Sequence, residues 1–159
     1  MTWAEVCEDT FLNSLEWRVE TDRHGNIVRS PPARSRHAEY QGEILGLLNA
    51  LLKGGKAYPD VPLETSEGVK AVDVAWVSRE RRASRPNDPA YLIAPEICVE
   101  VLSPSNSAEE LAERRRLCFE KGAVECWACD LAGRMSFYDP AGPMEASRFC
   151  PDFPRQVEV

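Results

Sequence analysis

Apolar and polar positions along this chain repeat at the period of a strand in some stretches and of a helix in others. The clearest block is 95–122, PEICVEVLSPSNSAEELAERRRLCFEKG. Ile97, Val99 and Val101 alternate with Glu96, Cys98 and Glu100, and nearly every position but the two glutamates is apolar. A strand that apolar is expected to be covered on both faces. An ionised glutamate inside it is costly to bury unless it is paired or binds a metal, so Glu100 is the first residue to explain. After a turn at 103–106, Ser107 and Glu110 have the spacing of a capping box, and Gly122 is placed to end the helix that follows. The inward stripe of this helix, over 107–121, contains Leu111, Cys118 and Phe119. Arg115 falls within the stripe and Arg114 at its edge, so a carboxylate and at least one guanidinium are directed towards the same interior.

The remaining elements follow from the same periodicities. A short helix is predicted over 2–13, then a hairpin of 16–20 and 26–29 around Arg23-His24-Gly25-Asn26, with a break at 30–32. Tyr40, Ile44, Leu47, Leu48 and Leu51 keep helical spacing over 35–53, and Gly54-Gly55 ends that helix. On its wheel His37 lies within the apolar stripe, Gln41 on its flank and Glu43 at the opposite edge, while Glu39 points away. His37 reads either as a satisfied core residue or as part of a site. Residues 56–65 form an irregular or edge strand, because Pro59 and Pro62 cannot donate to a ladder. The second strong strand is 69–77, VKAVDVAWV. Strict alternation puts Ala71, Asp73 and Ala75 on one face and Val72, Val74 and Trp76 on the other. Small neighbours around Asp73 leave room for an ion or a phosphate. A basic loop over 79–89 and strands at 124–130 and 134–138 follow. The Pro-rich remainder, 139–159, is expected to wrap the surface. The whole chain, 1–159, reads as one domain with its core at about 35–138.

Composition narrows the function classes. The chain is 43% hydrophobic and 28% charged, ordinary for a globular domain, and no apolar run reaches membrane-spanning length. Acids occupy the N-terminus where a secretory leader would carry bases, which predicts a cytoplasmic protein. A net charge of -7 argues against a strongly cationic nucleic-acid binder, although a local patch can differ in sign from the whole. Cys126 and Cys129 match C-x-x-C, but residues three apart on a strand face opposite sides, which is poor geometry for shared ligation. Asp73 and Glu100 lie in adjacent predicted strands, each in an apolar setting. Paired hard-oxygen donors of that kind suit Mg²⁺ or Mn²⁺, with the Val101 carbonyl as a third ligand.

Four segments then carry a resemblance: SPPARSRHAEYQGE (30–43), TSEGVKAVDVAWV (65–77), PEICVEVLSPSN (95–106) and RRRLCFEKGAVECW (114–127). With the helix-strand-strand-strand-helix-strand order and D…E-x-x, they resemble the PD-(D/E)XK nuclease superfamily. More closely, the chain is similar to a large bacterial family described as restriction endonucleases, also called domain-of-unknown-function family 820. The resemblance implies an α/β, restriction-endonuclease-like αβββαβ core: a mixed sheet flanked by helices, here with an N-terminal helix and hairpin. It implies metal-dependent hydrolysis of DNA, with Asp73 and Glu100 as catalytic ligands and Glu43 as an auxiliary ligand from the first long helix. His37, Gln41 and Arg115 become candidate substrate contacts, with Gln41 alternatively binding water.

The departures bear on activity. The superfamily lysine, two residues after the glutamate, is Leu102 here. In the family the lysine has moved to the following helix, one turn before a tyrosine; those positions are Arg114 and Cys118. Arginine keeps the charge but practically never deprotonates, so Arg114 is expected to clamp phosphate rather than to activate water. The superfamily proline before the aspartate is Val72, and Pro59-Asp60 is a decoy. Three readings follow: a metal-dependent deoxyribonuclease, a nuclease-fold protein that binds nucleic acid or a protein partner but cleaves poorly, and a plain buried pairing of acids with Arg114 or Arg115. Cleavage of both strands by one site per chain would favour a twofold homodimer.

Overall fold

The computed structural model describes residues 1–13, 18–30, 35–84 and 89–159. Two short helices, α1 (Trp3–Glu8) and α2 (Thr10–Asn13), stand where one was expected; Asp9 adopts an extended conformation between them. A hairpin of β1 (Arg18–Thr21) and β2 (Ile27–Ser30) forms a separate two-stranded sheet. The expected start of its first strand at Glu16 and the break at Pro31-Pro32 lie outside the described residues. Next come α3 (Ser35–Leu51), β3 (Gly55–Thr65), β4 (Gly68–Ser78), α4 (Arg79–Ser84), β5 (Ile97–Val101), α5 (Ala108–Glu120), β6 (Glu125–Cys129), β7 (Met135–Asp139) and β8 (Gly142–Met144).

Strands β3 to β8 form one mixed sheet in chain order, antiparallel except for the parallel pair β5 and β6 that α5 connects. Proline-bearing β3 is an edge strand, as predicted. On one face α3 packs Tyr40, Ile44 and Leu48 against Val74, Trp76, Ile97, Val99 and Trp127. On the other face Cys118 of α5 packs with Val61, Leu63, Val72, Ala75, Cys98 and Cys126. Burial of such side chains contributes about 1.5–3 kcal/mol each, so both helices are fixed to the sheet far more firmly than their propensities alone would hold them.

The ends of α5 behave as the sequence implies, with one difference. Ser107 caps the N-terminus by accepting the Glu110 N–H at 3.1 Å. The Glu110 carboxylate instead takes the side-chain amide of Asn106 at 3.4 Å. At the other end Gly122 has φ 100°, and the Gly122 and Ala123 N–H groups return to the carbonyls of Phe119 and Cys118. Those two bonds satisfy carbonyls that the helix leaves open, and the positive φ is accessible to glycine at little steric cost.

Strict alternation fails at Asp73. Val72 lies with Ala75 and Val77 in the core under α5, whereas Val74 and Trp76 lie under α3. The two strands slip phase together. Their register continues unbroken from Pro59↔Val74 to Val61↔Val72, and Asp60, at the centre of the slip, has φ 49°. That is the left-handed region, in which Asp is one of the few tolerated non-glycine residues. The pairing of β4 with β5 runs from Trp76↔Ile97 to Val74↔Val99. Asp73 and Glu100 therefore lie just past the last paired residues, where the two strands part.

Two further expectations are corrected. Residues 79–84 form α4 rather than a loop, because the buried Glu96 accepts the Ser78 N–H and the Ser78 hydroxyl and lies 3.3 Å from Arg81 Nε. Residues 85–88 of that expected loop lie outside the described set. The C-terminal stretch adds β8 and sends Cys150, Phe153 and Val157 into the core under α3, with Phe153 4.8 Å from Trp127 between ring centroids. Buried Glu125 anchors this segment by accepting from Trp127 Nε1, the Ser147 hydroxyl and the Arg148 N–H.

Candidate functional site

The parting of β4 from β5 opens a cleft of about 1190 Å³. Its lining includes Asp73, Glu100, Val101, Arg114, His37 and Glu20. Asp73 is almost wholly buried, and its Oδ2 accepts the Val101 N–H at 2.8 Å. The aspartate thus substitutes for the ladder bond that the separating strands no longer make. His37 Nε2 lies 3.5 Å from the same oxygen, while Nδ1 is buried without a hydrogen-bond partner among the described residues. The alternation of β5 turns Glu100 to the face of Cys98, which is the face α5 covers.

Arg114 comes down from α5 onto that carboxylate. Its Nε lies 3.4 Å from Glu100 Oε1. Its Nη2 donates to Glu20 Oε2 at 2.9 Å and to the Ala71 carbonyl at 3.0 Å, and Nη1 reaches Glu20 Oε1 at 3.4 Å. Glu20 Oε2 also accepts the Ala71 N–H at 2.7 Å. A guanidinium in a rigid fork can serve two carboxylates in this way, which a point-like ammonium cannot. The charge of Glu100, and then that of Glu20, holds Arg114 protonated even further above neutrality than usual, against the opposing effect of burial.

The hairpin that carries Glu20 is fastened to β4 beside the site. The Thr21 hydroxyl accepts the Val69 N–H at 2.9 Å, and Lys70 Nζ donates to the Thr21 carbonyl at 3.1 Å. A Cβ on Gly68 would come within 2.2 Å of the Thr21 carbonyl, so the close approach requires glycine there.

The remaining expected site residues are distributed as follows. Gln41 donates Nε2 to the Asp73 carbonyl at 2.8 Å and to Asp60 Oδ1 at 3.1 Å, so it braces the backbone at the phase slip. Glu43 is exposed on α3 and is not among the residues that line the cleft. Arg115 places its guanidinium 3.9 Å from the centre of the Tyr138 ring, outside the main cleft. Cys118 is buried with Cys98 and Cys126 behind Glu100. Cys126 and Cys129 project to opposite faces of the sheet.

Sequence reasoning missed Glu20. A glutamate in a short hairpin strand has the pattern of a solvated residue, and nothing local marks it as buried. Lys70, Arg36 and the turn 103–106 also line the cleft, and only spatial proximity reveals them.

Among the described residues no group of three or more His, Cys, Asp or Glu side chains is arranged to hold a metal. Two carboxylates in one cleft, Asp73 and Glu100, fit an ion such as Mg²⁺, which keeps several waters and takes the rest of its shell from phosphate.

Known proteins provide a separate comparison. A search of curated proteins found no match. The fold is similar to the crystal structure of a "putative nuclease belonging to DUF820" from Anabaena variabilis, with TM-score 0.70 and 21% identity, covering 88% of this chain and 80% of that one. The family model Uma2, described as "Putative restriction endonuclease", matches residues 8–139, a span running from α1 to the end of β7 that includes the hairpin, both acids and Arg114. The chain therefore belongs to the Uma2 family.

Proposed function

We propose that the protein is a metal-dependent endonuclease that hydrolyses phosphodiester bonds in DNA. The observation that carries this reading is the placement of Asp73 and Glu100 in one cleft, just beyond the last paired residues of β4 and β5, with a guanidinium held against Glu100. Asp73, Glu100 and the Val101 carbonyl would hold Mg²⁺ or Mn²⁺. When bound, such an ion polarises a phosphoryl oxygen and acidifies water. The chain's own residues set the geometry. The Val101 N–H fixes one Asp73 oxygen, His37 stands beside the same oxygen, and Glu20 fixes the angle at which Arg114 meets Glu100. Arg114 supplies a permanent positive charge at the acids and does not act as a base. No membrane-spanning helix occurs among the described residues. A cytoplasmic setting suits six cysteines that form no disulfide, because thiols stay reduced there. A homodimer with paired clefts would serve cleavage of both strands of a duplex.

A second reading, a nuclease fold that binds nucleic acid or a protein partner and cleaves weakly, is favoured by Arg114 itself. It stands where the family lysine would, and its Nη groups are engaged by Glu20 and Ala71. Cleavage of labelled DNA with and without Mn²⁺ tests the proposal, with wild type, Asp73→Ala and Glu100→Ala purified in parallel. Mn²⁺-dependent cleavage abolished in both variants is expected. Activity that persists in Glu100→Ala would show that the site lies elsewhere.

A further inference from the structure

Arg114 is poorly placed to grip a substrate phosphate. Of its five N–H donors, three are bonded to Glu20 and Ala71, and Nε is turned to Glu100. The cleft nevertheless needs cations that face its open volume, because the protein carries a net charge of -7 and Glu20, Glu67, Glu110 and Glu113 also line the cavity. Among the described residues, the cleft lining offers two other permanently charged cations, Arg36 and Lys70.

They stand on different walls. Arg36 is in the first turn of α3, exposed, with its guanidinium 5.9 Å from the Tyr40 ring centre and Nη1 3.4 Å from the Tyr40 hydroxyl. Tyr40 is itself buried, so it gives this exposed arginine a fixed platform. Lys70 is on β4, three residues before Asp73. Its cross-strand partner Leu63 lies in the core under α5, so Lys70 is on the α5 side. Among the described residues its ammonium has one bond, to the Thr21 carbonyl, which leaves two donors.

We infer that Lys70 and Arg36 are the phosphate contacts of the cleft. They grip the backbone of one nucleic-acid strand from opposite walls and hold the intervening phosphodiester over Asp73 and Glu100. Arg114 serves instead as the internal counter-ion of the acids. This inference rests on the nuclease reading for its choice of substrate, but its test is separable from catalysis.

The test is fluorescence anisotropy of a labelled single-stranded DNA 12-mer without divalent metal, titrated over a range of salt. Wild type, Arg36→Gln, Lys70→Gln, the double variant and Arg148→Gln are compared; Arg148 is exposed, beside Asp139, and is not among the residues that line the cleft. Each cleft variant should lose on the order of tenfold in affinity at low salt, as expected for one charge-assisted phosphate contact. Each should also lower the slope of log K against log salt by about 0.7, the value for one phosphate on a single strand. Arg148→Gln should match wild type. Cleft variants that keep the wild-type affinity and slope would overturn the inference, as would a wild type that does not bind. Binding that falls as described in a protein with no Mn²⁺-dependent cleavage would support the inference and defeat the nuclease reading. Cleavage with unchanged KM in both variants would do the reverse.

Discussion

Arg114 and Glu20, ninety-four residues apart in sequence, meet with Nη2 2.9 Å from Oε2. This contact ties the N-terminal hairpin to the acids of the sheet. Glu20 accepts the Ala71 N–H, and Arg114 donates to the Ala71 carbonyl, so the pair clamps one β4 residue from both sides of its backbone. A buried ion pair is not by itself a source of stability, but removing one member leaves the other charge uncompensated. Glu20→Ala should therefore lower unfolding stability by about 2–3 kcal/mol, a little below the range for fully buried pairs because Arg114 keeps some solvent contact. Adding Arg114→Met to Glu20→Ala should cost less than Arg114→Met alone, because in the wild type that change strips both Glu20 and Glu100 of their cation and in the variant only Glu100. Urea denaturation of the single and double variants measures the coupling, and strictly additive losses would show that the two residues do not act as a pair.

Asp60 is expected to control the phase slip that puts Asp73 into the cleft. Asp60→Asn should be nearly neutral, since Asn tolerates a φ of 49°. Asp60→Val should cost about 1–3 kcal/mol, because a β-branched residue is strained there. The valine variant should also shift the backbone amide signals of residues 72–74 in an NMR spectrum, while the asparagine variant leaves them in place. Equal stabilities would mean that the slip does not depend on residue 60.

Metal binding should follow the acids. Isothermal titration of wild type with Mn²⁺ is expected to give binding that is lost in Asp73→Ala and in Glu100→Ala. Glu43→Ala should bind as wild type does, since Glu43 is exposed and is not among the residues that line the cleft. Binding that survives loss of either cleft acid would remove the metal site from this position.

Arg114→Lys tests whether arginine is a degraded lysine or the residue that this architecture uses. From the sequence, lysine is expected to restore activity. The geometry reverses that expectation: a lysine ammonium offers donors from one point and cannot meet Glu20, Ala71 and Glu100 together. The variant should be less stable by about 1–2 kcal/mol, the order of a lost charged hydrogen bond, and no more active than wild type. Higher Mn²⁺-dependent cleavage in Arg114→Lys would contradict this.

Stability should decline on the alkaline side through a buried thiol. Burial pushes the Cys129 thiol up to about 12 from an ordinary 9.0. Cys98 is shifted in the same direction by its hydrogen bond to Cys118 and by burial, but hydrogen bonds to Cys126 and Cys98 lower Cys118, so that trio opposes itself and Cys129 carries the effect. The unfolded chain then ionises the Cys129 thiol near pH 9 while the folded chain holds it neutral. The contribution of Cys129 is complete below pH 9 and is lost progressively as pH rises towards 12. The urea midpoint should fall from pH 8 to pH 11, and Cys129→Ala, although less stable overall, should show a shallower decline.

The sequence by itself determined the two apolar central strands, the helices α3 and α5 and the acid within each of those strands. Residues 69–77 and 95–103 are apolar enough to be covered on both faces, and a carboxylate in such a strand is conspicuous because burying it is costly. Caps and glycines located α5 to within a residue or two. Only the tertiary structure decided what those acids face. The Glu20 partner of Arg114 comes from a hairpin whose own pattern gives no sign of burial. Val72 changed faces at the step where Asp60, on the neighbouring strand, takes a left-handed conformation. Arg115, central on the helical wheel, was drawn to Tyr138, and the C-terminal stretch entered the core through Phe153 and Val157. Local periodicity records which side of an element is covered, whereas the partner across the gap is fixed by contacts between residues far apart in the chain.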